Sequence, residues 1–192
     1  MINSSEQLKQ EKANYAKLLQ KERQRILVCA GTGCVAGGSL HVYNRLEELI
    51  KAQGLLIDLT TTSADDHSGI NVKKSGCHGF CEMGPLVRIE PQGILYVGVK
   101  PDDAEAIIQS LENDTVVDHL LYRHPLTQER FVKEHELPFY KQQLRIALGN
   151  CGIIDPEDIR EYIVRDGYKA LAKVIKEMTP EEVCQTILDS GL

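Results

Sequence analysis

The element order legible in this 192-residue chain predicts an α/β fold, a small sandwich of sheet and helices. Three observations predict it. Arg25-Ile-Leu-Val-Cys29 is a short apolar run of strand length that ends in a glycine turn. Val42, Leu46, Leu49 and Ile50, and later Ala104, Ile107, Ile108 and Leu111, repeat at the 3.6-residue helical period. Between them, Leu86-Val-Arg-Ile-Glu90 and Ile94-Leu-Tyr-Val97 flank Pro91-Gln-Gly93 as a hairpin would. The resulting order is βαβ…ββα.

Taken in chain order, residues 5–24 are charged and read as a helix with a thin apolar stripe of Leu8, Tyr15, Leu18 and Leu19. The first strand follows, then a glycine turn, then a helix from about Ser39 closed by Gly54 in the C′ position. Leu55–Thr61 reads as the second strand. Ser63 to Ser75 is polar and rich in turn formers. After the hairpin, Pro101 suits a first helical turn and Asp102 and Asp103 complement its dipole. Past Leu121, His124-Pro125 and Leu137-Pro138 predict irregular backbone. Asp155-Pro156 reads as N-cap and N1, and Thr179-Pro-Glu-Glu182 as a capping box. Residues 155–190 therefore divide into two or three short helices, split near Gly167 and stopped at Gly191. The expected organisation is an N-terminal helix over 1–24, an α/β domain over 25–120 and a helical segment over 121–192.

A net charge of −6 argues against nucleic acid, which needs a basic face. No apolar run approaches the roughly 18–20 residues of a membrane span, and the N-terminus lacks a signal-peptide layout. Six cysteines, four of them clustered, suit a reducing cytoplasm better than a secreted disulfide framework.

Those four carry the chemistry. Cys29-Ala-Gly-Thr-Gly-Cys34 and Gly76-Cys77-His-Gly-Phe-Cys81-Glu-Met-Gly-Pro85 are two close pairs in glycine-rich turns. Four thiolates at one point need a cation, so Cys29, Cys34, Cys77 and Cys81 read as metal ligands. An all-cysteine [2Fe–2S] cluster carries net negative charge in both redox states, and backbone N–H groups aimed at sulfur offset it. Gly31, Gly33, Gly76 and Gly79 stand where turns with φ > 0 would aim such groups. A zinc-stabilised interaction module without redox activity is the alternative: structural zinc sites favour two to four residues between paired ligands, and C-x4-C and C-x3-C fall at the loose end of that range. No C-x-x-C supports a thioredoxin-type dithiol, and His78 alone does not make a Rieske site. Gly31-Thr-Gly-Cys-Val-Ala36 also fits G-x-G-x-x-A with Asp58 on the next strand, but two thiols flank the loop and no second βαβ half follows. Cys151 and Cys184 read as small buried apolar residues. Glu47, Glu48 and Asp65-Asp66-His67 read as solvated surface.

The two cysteine turns, Gly-Cys-His-Gly-Phe-Cys-Glu-Met-Gly-Pro above all, resemble the thioredoxin-like [2Fe–2S] ferredoxin domain over about residues 25–112. The fold class this implies is α/β, a thioredoxin-like [2Fe–2S] ferredoxin domain followed by a small helical segment. His124-Pro-Leu, Pro138-Phe-Tyr-Lys-Gln-Gln, Gly149-Asn-Cys-Gly-Ile-Ile-Asp-Pro156, Asp166-Gly-Tyr-Lys-Ala-Leu171 and Met178-Thr-Pro-Glu-Glu-Val resemble the opening of the NADH-binding flavoprotein subunit of respiratory complex I. The two together resemble the beta subunits of NAD(P)-linked, electron-bifurcating-type [FeFe] hydrogenases and related formate dehydrogenases. That resemblance implies electron transfer through one [2Fe–2S] cluster between an NAD(P)H/FMN site and partner iron–sulfur subunits: a hydrogenase or dehydrogenase catalytic subunit and a small ferredoxin-like subunit. FMN, NAD(P) and a [4Fe–4S] cluster belong to the complete family protein, beyond the Ser-Gly-Leu192 end. On this reading the sequence is an N-terminal piece of a longer oxidoreductase subunit, and alone an electron carrier.

Overall fold

The computed structural model describes residues 2–57 and 69–191. Its helices and strands run α1 (Ser5–Leu19), β1 (Glu22–Cys29), α2 (Thr32–Ala36), α3 (Ser39–Ala52), β2 (Gly69–Ser75), β3 (Val87–Glu90), β4 (Ile94–Tyr96), α4 (Ala104–Glu112), β5 (Tyr122–Arg123), β6 (Arg130–Phe131), α5 (Pro138–Lys141), α6 (Ile159–Val164), α7 (Lys169–Glu177) and α8 (Pro180–Ser190). They pack as two compact units. Residues 18–57 and 69–157 form one, and residues 2–17 with 158–191 the other.

The larger unit is built on a four-stranded sheet in the order β2-β1-β3-β4. Strand β1 is central, parallel to β2 and antiparallel to β3, and β3 and β4 form the hairpin expected around Pro91-Gln-Gly93. Gly93 supplies the positive φ of +70° that the turn requires. Because strand side chains alternate, the unbroken apolar run of β1 serves both faces. Ile26 and Val28 join Ile70, Val72, Val87, Ile89 and Tyr96 under α3 and α4, whose predicted stripes Val42-Leu46-Ile50 and Ile107-Ile108-Leu111 are buried there. Cys29 lies on the other face with Leu86, Leu95, Phe80, Leu137 and Tyr140. So residues beyond 121 cover the second face of the sheet: β5, β6 and α5 bring Tyr122, Phe131, Leu137 and Tyr140 onto it.

Several expectations need correction. The N-terminal helix ends at Leu19, and β1 starts at Glu22, because Glu22 and Gln24 already pair with Gly69 and Ile70 of β2. The strand expected at Leu55–Thr61 reduces, among the described residues, to a single parallel bridge from Leu56 to Ile70; residues 58–61 lie outside them. The strand beside β1 is instead Gly69–Ser75, within the stretch read as turns. Pro138 opens a short helix rather than irregular backbone.

In the smaller unit α6, α7 and α8 match the expected two or three short helices, with the break at Gly167 and the stop at Gly191 (φ +75°) as read. The N-cap of α6 is Asp158, whose carboxylate accepts the Arg160 N–H at 3.0 Å; Asp155 instead accepts the Glu157 N–H at 2.9 Å in a local turn. Tyr15 of α1 is buried in this unit, with the Arg160 guanidinium 4.7 Å from its ring centroid.

Candidate metal centre

The first cysteine turn leaves the carboxyl end of β1. Cys29 is the last residue of that strand, and Cys34 lies on α2, so both are buried. The second turn leaves the carboxyl end of the parallel neighbour β2, which places Cys77 and Cys81 beside the first turn, both exposed. Two parallel strands thus deliver both pairs to one end of the sheet. The contact between the turns is close: a β-carbon on Gly33 would lie 3.2 Å from Cys81 Sγ, and one on Gly84 would lie 2.7 Å from Cys34 Sγ.

Backbone N–H groups point at the sulfurs. Gly79 N donates to Cys77 Sγ at 3.3 Å, and φ of +82° at Gly79 makes that turn possible. The Cys34 thiol hydrogen-bonds Cys29 and pulls the Cys29 pKa down to about 5, against the effect of burial and with help from the His78 and Gly31 N–H groups. Cys34 is pushed up by the same hydrogen bond and by burial. Cys81 is raised chiefly by the neighbouring Cys77 charge. Like charges raising one another is the electrostatic situation a cation relieves. Among the described residues, no group of three or more His, Cys, Asp or Glu side chains is set to hold a single metal ion.

Glycine has two different duties here. Gly79 needs its positive φ, as expected. Gly31 has φ of −65°, so its role is room for the second turn rather than a left-handed backbone. Gly33 and Gly76 are not among the residues with positive φ either.

His78, in the loop of the second cysteine turn, is fully buried. Its Nε2 meets Ser75 Oγ at 2.9 Å, and its Nδ1 faces Glu134 Oε1 at 3.6 Å, an ion-pair distance rather than a hydrogen bond. Glu134 is paired with Arg88. Burial pushes the Glu134 carboxyl up, but His78, Arg88 and Arg145 outweigh it, and the net direction is down. Gly152 backs the imidazole so closely that a β-carbon would sit 2.8 Å from Nδ1. Glu134, Tyr140, Arg145 and Gly152 carried no local sign of a role in the sequence, because His78 lies 56 to 74 residues before them; Ser75 is three residues from it, and Gly84 was visible within the second cysteine motif.

The other sequence candidates fall elsewhere. Cys151 is half-buried, its Cα 4.0 Å from where a β-carbon on Gly76 would be; Cys184 is exposed on α8 rather than buried. Glu47 pairs with Lys51 and Glu48 with Arg45 on the outer side of α3. Asp58, Asp65, Asp66 and His67 lie outside the described residues.

The fold is α/β, with both cysteine pairs at one end of its sheet. The family model described as thioredoxin-like [2Fe–2S] ferredoxin matches residues 14–112, and the chain belongs to that family. It is 58% identical over 52 residues to the NADP-reducing hydrogenase subunit HndC of Solidesulfovibrio fructosivorans, covering 27% of this chain and 10% of that protein. It is 42% identical over 59 residues to a 2Fe-2S ferredoxin of Clostridium pasteurianum, covering 30% of this chain and 58% of the ferredoxin. The solved thioredoxin-like [2Fe-2S] ferredoxin from Aquifex aeolicus aligns at 25% identity with a TM-score of 0.44, over 54% of this chain and 99% of that one. The matches thus span a tenth of HndC and about three fifths of the clostridial ferredoxin.

The residues present suit the family's group. Four thiols are the usual donor set of a [2Fe–2S] cluster, the turns approach so closely that only glycine fits between them, and N–H groups address Cys29, Cys34 and Cys77.

Proposed function

We propose that Cys29, Cys34, Cys77 and Cys81 ligate one [2Fe–2S] cluster, and that the chain carries electrons one at a time between an NAD(P)H/FMN site and partner iron–sulfur subunits of a multi-subunit oxidoreductase such as an NAD(P)-dependent hydrogenase. The observation that carries the reading is the pairing of four thiols at one sheet end, two buried and two exposed, with backbone N–H groups on the sulfurs. The cluster supplies the one-electron chemistry; all-cysteine ligation suits a potential on the order of −400 mV, as in plant-type ferredoxins. The protein's residues position it, neutralise part of its charge and leave Cys77 and Cys81 as the side facing solvent.

The likeness to HndC supports a place in an NAD(P)-linked hydrogenase; on this reading the complete assembly also holds FMN, NAD(P) and a [4Fe–4S] cluster. Ser5–Leu19, residues 22–120 and residues 121–192 then serve as leading helix, ferredoxin domain and helical start of a flavoprotein domain, in a cytoplasmic complex. No helix among the described residues is long and apolar enough to cross a membrane.

The test is analysis of the purified, anaerobically handled chain. Iron and acid-labile sulfide near two each, a red-brown colour and an EPR signal only after reduction are expected. Serine at Cys29, Cys34, Cys77 or Cys81 should disturb that spectrum, and serine at Cys151 or Cys184 should not. A colourless protein with one zinc would replace this reading by the zinc-stabilised module, and an intact spectrum in Cys77→Ser would overturn the ligand set.

A further inference from the structure

The peptide joining His78 to Gly79 is held at both ends. Its carbonyl oxygen accepts the Tyr140 hydroxyl at 3.2 Å and the Arg145 guanidinium Nη2 at 2.8 Å. Its N–H, on Gly79, donates to Cys77 Sγ at 3.3 Å. The bond is trans, so carbonyl and N–H point in opposite directions from one rigid plane. We infer that Arg145, together with Tyr140, is a positioning residue that acts through this one peptide plane, aiming and polarising the amide donor on Cys77 and thereby raising the reduction potential of the site.

This rests on the reading of Cys77 as a ligand. A charged donor on a carbonyl draws electron density toward oxygen and leaves the N–H of the same amide more positive. A stronger N–H···S bond favours the more negative, reduced state, which moves the potential up. The geometry serves that purpose. Arg145 turns inward while its neighbours Leu144 and Ile146 are 86% and 82% exposed, the reverse of what solubility alone would choose. Its guanidinium lies 4.7 Å from the Tyr140 ring centroid, and its Nε is held by Gln143 Oε1 at 3.3 Å, so the fork is fixed before it meets the carbonyl. Tyr140 is seated independently, ring to ring against Phe80 and Phe139, so altering Arg145 removes a charge without unpacking the tyrosine.

The test uses the whole chain with its cluster and the variants Arg145→Gln, Arg145→Lys and Tyr140→Phe. A dye-mediated titration with dithionite, whose S–S bond cleaves to SO2 radical anions that each give up one electron and end as sulfite, reduces the site by one electron and reads the midpoint by EPR. Pulsed proton spectroscopy before and after exchange into deuterated water reads the N–H···S coupling. Arg145→Gln should lower the potential by a tenfold change in the oxidised-to-reduced ratio at fixed poise, about 59 mV for a one-electron couple, and weaken the exchangeable coupling. Arg145→Lys should recover most of both, and Tyr140→Phe should shift both in the Gln direction by less. If Arg145→Gln loses the cluster, Tyr140→Phe against Arg145→Lys decides by the same criterion. A parent-like potential and coupling in Arg145→Gln and Tyr140→Phe would overturn the inference while leaving the ligand reading intact. An unsubstituted chain with no [2Fe–2S] signal would overturn the ligand reading and this inference with it.

Discussion

Gly31 and Cys77 stand so close that a β-carbon on the glycine would lie 2.9 Å from the cysteine Cβ and 3.0 Å from its Sγ. The two turns are 46 residues apart in sequence and meet only because β1 and β2 run parallel and end together. Gly31→Ala should therefore push the second turn away from the first, and Gly33→Ala should do the same through Cys81. Bound iron and labile sulfide per chain are expected to fall several-fold in both. Gly93→Ala is the control: nothing lies within 4 Å of its added carbon, and only the positive φ is penalised, by about 1–2 kcal/mol. A Gly31→Ala protein with parent-like iron content would show that the turns need not touch.

Leu137 tests whether the segment after residue 121 is structural to the α/β unit. It is completely buried and packs among the residues of the cysteine-bearing face, Cys29, Leu86 and Leu95 included. Leu137→Ala should cost about 2–5 kcal/mol, transfer and cavity terms together. Urea unfolding followed by far-UV circular dichroism measures it, and a loss below about 1 kcal/mol would mean this segment is not part of that core.

The sequence analysis reached furthest where information is local. The stripes of α3 and α4, the hairpin at Gly93, the C′ glycine Gly54 (φ +67°) and the cysteine turns all lie within a few residues of their own signals. Strand β2 was missed because Asn71-Val-Lys-Lys-Ser75 is polar by composition, and its strandedness comes from pairing with β1 nearly fifty residues earlier. Its lysines lie at the sheet edge, where Lys73 pairs with Asp155 and Lys74 with Glu157, as charged edge strands do. The family was legible in two motifs. The surroundings of His78 were not, because apart from Ser75, three residues before it, its neighbours Glu134, Tyr140 and Arg145 reach it through tertiary packing that leaves no spacing to read.

Glu134 gives the larger unit a specific acid sensitivity. Its folded pKa lies below the ordinary 4.5 because His78, Arg88 and Arg145 outweigh burial. A carboxylate depressed in this way contributes stability that is complete above 4.5 and is lost as pH falls through its lower folded value. Stability of the parent should therefore drop more steeply below pH 4.5 than that of Glu134→Gln. Above pH 4.5 the variant should be the weaker protein, since it leaves Arg88 short of a partner. Parallel stability–pH curves for the two proteins would remove Glu134 from the account.

In the smaller unit α8 depends on its ends more than on its faces. Ile187 and Leu188 are 57% and 73% exposed, so little apolar burial holds the helix in place. Its N-terminus is closed reciprocally: Thr179 Oγ1 accepts the Glu182 N–H at 3.3 Å, and Glu182 Oε2 accepts the Thr179 N–H at 2.7 Å. Pro180 supplies the N1 residue and Gly191 the left-handed stop. Thr179→Ala should cost about 1 kcal/mol and appear as faster amide exchange over 183–186, with the α/β unit unaffected. Thr179→Asn, which restores a capping oxygen, should recover most of the protection. If alanine and asparagine exchange equally fast, α8 is held by something other than its cap.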